Sequence, residues 1–227
     1  MNLDPHPYSE WRATTLGTIT EAAEQALVFR LAGPLAGRHV LDAGCGDGAY
    51  AIAAANLGAR VTACDLSPSM IAEAKHRAKE AGVHVDFHVG DLAALPYPDD
   101  MFDVVLAVTV LCFVPEATAA LRELSRVLAP GGRLVLGELG RWSLWAARRR
   151  VRAWLGSDLW RNTTFRSAQE LRMIVGAAGL HTERIEGAVY YPPCTSIAKA
   201  IAPIERRLGA CATFGAAFIA CTARKSV

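Results

Sequence analysis

From residue 39 onward, short apolar runs alternate with helix-length amphipathic stretches, and that rhythm admits few folds. It is the pattern of parallel strands joined by crossover helices, so the chain is expected to form an α/β, doubly wound, mostly parallel sheet. Strands are predicted over residues 39–43, 60–65, 84–89, 102–108 and 133–138, with helices over 48–56, 68–81 and 116–128 between them. The second of these helices has the clearest ends. Ser67 is a natural N-cap, Pro68 fits the first helical position, and Gly82 suits the left-handed residue that closes a helix.

Beyond residue 138 the rhythm changes. Residues 140–165 insert an Arg/Trp-rich stretch ahead of a helix at 168–178 and a sixth strand at 182–189. Tyr-Tyr-Pro-Pro then breaks the pattern before a helix at 197–208 and a last strand at 213–222, which can run antiparallel. That makes a seven-stranded sheet. Residues 1–35 precede the first strand and hold a helical stretch whose apolar face is read as Ile19, Ala22, Ala23, Ala26, Leu27 and Leu31. The whole of 1–227 is expected to be one domain, with 1–35 as a helical lid and 140–166 and 192–211 as cover insertions.

Composition narrows the function classes. Hydrophobic residues make up 52% and charged residues 20%, a balance of a folded chain, and no apolar run is long enough to span a bilayer. The N-terminus, M-N-L-D-P-H-P-Y, has neither a basic nor an apolar leader region, so a cytoplasmic setting is expected. The net charge of +2 gives no strong pull toward nucleic acid. The six cysteines are scattered without C-x-x-C pairs, which reads as free thiols and no metal site. Nothing about the size demands a partner, and oligomeric state stays open.

The segment V-L-D-A-G-C-G-D-G, from Val40 to Gly48, ends the first strand with glycines where the backbone must turn sharply and approach a ligand. The following helix points its N-terminal amides at that loop, which favours an anionic group. Gly44, Gly46 and Ala49 also satisfy the dinucleotide pattern G-x-G-x-x-A, and Asp65 at the tip of the second strand suits the ribose hydroxyls of either ligand. Other features separate the two. Asp42 would repel a pyrophosphate but attract a ligand carrying an ammonium and a sulfonium. Gly90, Asp91 and Leu92 place a second acid near the carboxyl edge of the sheet, and Pro130-Gly131-Gly132 turns a helix directly into a strand.

By V-L-D-A-G-C-G-D-G, C-D-L-S-P-S-M-I, G-D-L-A-A-L-P-Y-P-D-D-M-F-D-V-V and L-A-P-G-G-R-L, the chain resembles the class I S-adenosylmethionine (SAM)-dependent methyltransferases, in particular the ubiquinone/menaquinone-biosynthesis-like (methyltransferase type 11) group. The resemblance covers roughly residues 8–139 and implies a Rossmann-like fold with SAM as cofactor. It implies that Asp42, Gly44, Cys45 and Gly46 hold the methionine end and Asp65 the ribose. Leu66 and Met70 would lie on the adenine face, Gly90, Asp91 and Leu92 at its edge, and Val108 near the methyl group. The lead segment Y-S-E-W-R-A-T-T-L-G also resembles such enzymes, with Tyr8 and Trp11 folding over the cofactor.

Methyl transfer from a sulfonium is an in-line displacement, so a base is needed only when the acceptor holds its proton. Glu138, His6, Tyr190 and Tyr191 are the candidates to face a small organic acceptor through its O, N or C atom, including an aromatic or quinone-like one. The remaining histidines are read as structural. The insertion Arg141 to Arg161 is read as a helix burying Leu144, Ala147, Val151, Trp154 and Leu155, a cover beside the site, with peripheral membrane contact as the sharper alternative. Other functions set against the methyltransferase are a non-catalytic SAM sensor or scaffold, a nicotinamide-dependent oxidoreductase, and an arsenite methyltransferase using Cys112, Cys194 and Cys211.

Overall fold

The computed structural model describes residues 10–226. Its elements in chain order are α1 (Thr15–Ala32), β1 (His39–Ala43), α2 (Ala49–Asn56), β2 (Arg60–Asp65), α3 (Pro68–Glu80), β3 (Asp86–Val89), β4 (Phe102–Val108), a 3-10 turn (Leu111–Phe113), α4 (Ala117–Val127) and β5 (Leu128–Leu139). There follow α5 (Leu144–Trp154), α6 (Asp158–Arg161), α7 (Ala168–Ala177), β6 (Leu180–Ala188), α8 (Thr195–Ile201), α9 (Glu205–Cys211) and β7 (Phe218–Lys225).

The seven strands form one sheet in the order β3-β2-β1-β4-β5-β7-β6, parallel except for β7, which runs antiparallel to both β5 and β6. The order in which successive strands are added reverses between the parallel neighbours β1 and β4, and the loops leaving them at such a switch point diverge and open a crevice at their carboxyl ends. Residues of one face pack Leu27, Val28, Ala51, Ile71 and Ala74 from α1 to α3, together with Trp145 and Tyr191. The other face carries Leu121 and Leu124 of α4 and Leu171 and Val175 of α7.

Local chemistry explains the sharp helix ends. Ser67 caps α3 by accepting from the Met70 amide, with Pro68 in the first turn, where its missing N–H costs nothing. Ser167 and Glu170 close a reciprocal capping box on α7. The Pro-Gly-Gly segment lies inside β5, and the register with β4 jumps from Phe102↔Leu128 to Val104↔Arg133, so the predicted turn survives as a bulge.

Several expectations are corrected. Pro203 lacks the amide a continuous helix needs, so the predicted helix over 197–208 divides into α8 and α9. The third strand starts at Asp86 rather than His84, whose exposed ring pairs with Asp86. The sixth strand is shifted to Leu180–Ala188 and is followed by Val189, which takes φ 64°, and the last strand begins only at Phe218, after Gly215 at φ 86°. Two helix faces are also rotated from their predicted orientation. In α1 the buried residues include Thr20, Leu27, Val28 and Leu31, while Ala22 and Ala26 face outward. In α5 Trp145 and Ala146 are buried, and the five residues predicted inside are all exposed.

Candidate active site

Gly44, Gly46 and Gly48 take φ values of 76°, 53° and 82°. A Cβ on Gly44 would lie 2.2 Å from Val110 Cγ2, so this position needs glycine for space as well as for conformation. The loop is fastened to the end of β2, with the Gly44 and Cys45 amides donating to the Cys64 carbonyl at 2.8 and 2.9 Å. Asp65 accepts the Gly46 amide at 2.9 Å on one oxygen and the Ser67 amide at 2.9 Å on the other. A carboxylate oxygen has a second lone pair, so Asp65 keeps acceptor capacity while bracing the loop.

Asp42 is 2% exposed, and its Oδ2 has no hydrogen-bond partner among the described residues. Burial pushes its carboxyl up to about 7; the Ala51 amide at the start of α2 opposes that shift and Asp65 adds to it. An orphaned acid of this kind suits a ligand cation, and the glycine loop beside it leaves room for backbone approach. These are the features a SAM site requires. Asp47 in the same loop is buried between two arginines, Arg12 and Arg77, the latter at 2.5 Å, and Arg12 also holds Glu21 of α1 at 3.0 Å. This chain of charges ties the lead segment and α1 to the glycine loop, a link that the residue spacing did not reveal.

The remaining predicted cofactor positions cluster along the same edge. Gly90 donates to the Asp65 carbonyl at 3.0 Å; exposed Asp91 accepts the Ala93 amide at 2.9 Å, and Leu92 is buried beneath it. Met70 is buried, whereas Leu66 is exposed at the mouth of the crevice. Val108 ends β4 in the core, and the next residue, Thr109, holds φ 51°, a strained conformation for a β-branched side chain beside the crevice. Trp11 meets Trp145 edge to face, with ring centroids 6.2 Å apart. Tyr8 and His6 lie outside the described residues.

The candidate acceptor-facing residues separate. Glu138 is 0% exposed and accepts from Arg166 at 2.6 Å; burial raises its carboxyl to about 7, with Arg166 and then the Cys112 and Leu111 amides pulling the other way. Its other oxygen, Oε1, is buried with no hydrogen-bond partner among the described residues. Tyr190 spends its hydroxyl on the Ala212 carbonyl and packs on the α4/α7 face, away from Tyr191. Tyr191 is on the α1 side, 1% exposed, its hydroxyl 3.1 Å from that of Thr20 and its carbonyl accepting from Trp145 Nε1 at 2.8 Å. Burial pushes its phenol up to about 12. Glu24, absent from the sequence reading, comes into this neighbourhood through the rotation of α1. Burial pushes its carboxyl up to about 7, opposed by Arg149 and assisted by Glu21. A helical wheel anchored on polar Thr20 would have found it.

Residues 41–136 match the family described as "Methyltransferase domain". The chain is 38% identical over 166 residues to a ubiquinone biosynthesis O-methyltransferase of Xanthomonas euvesicatoria, covering 70% of this chain and 69% of that protein. It is 41% identical over 139 residues to the 27-O-demethylrifamycin SV methyltransferase of Amycolatopsis mediterranei, covering 59% of this chain and 50% of that one. A solved structure from Thermotoga maritima, described as a SAM-dependent methyltransferase and possible histamine N-methyltransferase, superposes with a TM-score of 0.73 at 22% identity, covering 97% of this chain and 95% of that one. The fold and the orphaned acid above a glycine loop define a SAM-dependent methyltransferase. The chain belongs to the methyltransferase-domain family, in the group that holds the ubiquinone-biosynthesis O-methyltransferases.

Proposed function

We propose that this enzyme transfers the methyl group of SAM to a hydroxyl of a small, flat organic acceptor of phenolic or quinol type. The observation that carries the donor half is the buried Oδ2 of Asp42 beside the glycine loop, unpartnered among the described residues. In this reading Asp42, with Gly44, Cys45 and Gly46, receives the methionine ammonium and backbone. Asp65 takes the ribose hydroxyls, Leu66 and Met70 flank the adenine, Gly90, Asp91 and Leu92 meet its edge, and Val108 lies toward the methyl group. When bound, SAM supplies an electrophilic methyl carbon; the protein aligns the acceptor with it and excludes water. Trp11, partly exposed and edge to face with Trp145, offers an aromatic surface to a flat acceptor, and the names of the relatives above support oxygen as its nucleophile.

An arsenic acceptor is disfavoured, because burial pushes the Cys112 thiol well above its ordinary value whereas metal ligation needs a thiolate. A finer partner reading concerns residues 141–161. Trp142, Leu144, Val151, Trp154 and Leu155 are exposed among Arg148, Arg150 and Arg152, a combination suited to resting on an anionic lipid surface from which an apolar acceptor could be drawn.

The test is a thermal-shift and calorimetric comparison of SAM, S-adenosylhomocysteine and NADH. Both adenosyl ligands are expected to raise Tm, and stabilisation by NADH alone would refute the reading. Asp65→Ala is expected to weaken S-adenosylhomocysteine binding by at least tenfold, since it removes a carboxylate that brackets the loop and accepts from the ribose. Unchanged affinity would remove Asp65 from the ribose site.

A further inference from the structure

We propose that Glu24 is the general base that receives the acceptor's proton, an inference that rests on the hydroxyl-acceptor reading. Thr20, Glu24, Leu27, Val28 and Leu31 share one face of α1, and all of these except Glu24 are buried apolar residues or, in Thr20, a hydroxyl bonded to Tyr191. Glu24 is thus a carboxylate on the face turned toward the sheet, one turn from the Thr20–Tyr191 pair. It accepts no hydrogen bond and forms no ion pair among the described residues. Its side chain nevertheless remains partly accessible. A carboxylate that is desolvated, unpaired and reachable is placed to meet a polar group that arrives with a ligand.

The charges facing it come from three elements: Glu21 on α1, Arg149 on α5, and the Tyr191 phenol after β6. Arg149 is held over the rings of Trp145 and Trp160, 5.4 and 4.8 Å from their centroids, and lowers the Glu24 carboxyl without bonding to it. Burial dominates and sets that carboxyl at about 7, where a base is ionised in part at neutral pH and still accepts a proton usefully. The other candidates differ: Glu138 is fully buried and ion-paired with Arg166 through one oxygen, and Tyr190 is bound to Ala212.

The step balances as follows. The acceptor oxygen forms its bond to the methyl carbon as the sulfonium S–CH3 bond breaks with its electron pair left on sulfur. The hydroxyl proton passes to a carboxylate oxygen of Glu24, and solvent later removes it. S-adenosylhomocysteine, the methyl ether and one proton are the products.

Two measurements test this on the full chain. In protein labelled with 13C at the glutamate carboxyls and saturated with S-adenosylhomocysteine, the resonance lost in Glu24→Gln is expected to titrate near pH 7 and to shift when catechol is added. Titration in the ordinary glutamate range, or indifference to catechol, would overturn the proposal whether or not turnover is seen. With a panel of catechols, phenols and aliphatic amines as acceptors, Glu24→Gln is expected to lower kcat by about 100-fold or more and abolish the acidic limb of the pH profile. KM and S-adenosylhomocysteine affinity should stay within about twofold, Glu24→Asp should restore part of the rate, and a nitrophenol already ionised should lose least. Wild-type turnover of amines alone would defeat the hydroxyl reading and this proposal together. Wild-type turnover of phenols with an unaltered Glu24→Gln profile would defeat only the base.

Discussion

Gly44 and Asp42 stand two residues apart and show how differently two positions in one motif can be constrained. The glycine is required by local geometry. A methyl group there would enter Val110 at 2.2 Å and impose φ 76° on an L side chain, so Gly44→Ala is expected to cost on the order of 3 kcal/mol, read as a lowered midpoint in urea unfolding. If the midpoint held, the loop would have to move freely, and its fastening to Cys64 would be of no consequence. Asp42 meets no such local need. Its carboxylate is costly where it stands, and a ligand cation repays that cost. The acids at 42, 65 and 91 were legible because each stands at or within two residues of a strand's end in a recognisable phrase. Glu24 was not, because the rotation of α1 that turns it inward is fixed by a partner far along the chain, Tyr191, bonding to Thr20.

At the scale of elements, α5 departs furthest from its sequence pattern. Its apolar residues at 144, 151, 154 and 155 describe a face that ought to be buried, yet Trp154 is 85% and Leu155 71% exposed. Docking runs through two neighbours: Trp145 buries its ring, meets Trp11 and donates to the Tyr191 carbonyl, and Ala146 packs with Cys112, Leu139 and Phe165. A large aromatic with a polar tip outweighs several smaller side chains when its N–H finds a buried partner. The outward face then carries both apolar surface and arginines. Vesicles of phosphatidylglycerol are expected to bind the protein in a sedimentation assay, with adsorption falling as salt rises. Trp154→Ala with Leu155→Ala is expected to weaken that binding at least tenfold. Equal binding to neutral and anionic vesicles, or no effect of the double variant, would count against the surface.

For the whole molecule, three acids have carboxyls raised to about 7, chiefly by burial: Glu24, Asp42 and Glu138. The folded state holds their protons over a range in which the unfolded chain has released them. Their contribution to stability is full below the ordinary carboxylate range and is lost as pH rises to about 7. Glu123, Glu170 and Glu183 are lowered and act in the opposite sense, but their gain is complete once pH has passed the ordinary glutamate value. Between pH 5 and 8 His39, whose imidazole is held below its ordinary value chiefly by burial, acts against the three raised acids, which outnumber it, and Tm without ligand is expected to fall across that interval. SAM is expected to stabilise more at pH 8 than at pH 6, because Asp42 must be ionised to hold an ammonium. Asp42→Asn should flatten both trends in a thermal-shift series, and a rising Tm over the same interval would contradict the assignment. Among the described residues no helix is long and apolar enough to cross a membrane.

What the residues determined unaided was the part governed by short-range rules. The boundaries of β1, β2 and β4, the capped start of α3 and the glycine turn all follow from periodicity, capping and φ preference within a few neighbours. Tertiary structure decided which way α1 and α5 face, how Pro203 divides the last cover helix, and which acids are paired or left open. The physical reason is that a helix carries nearly the same backbone energy at any rotation about its axis. Its orientation is set by partners more than a hundred residues away, such as Tyr191 for Thr20 and Arg149 for Glu24. The strand positions and the donor loop were written locally, whereas the acceptor side exists only where distant helices meet.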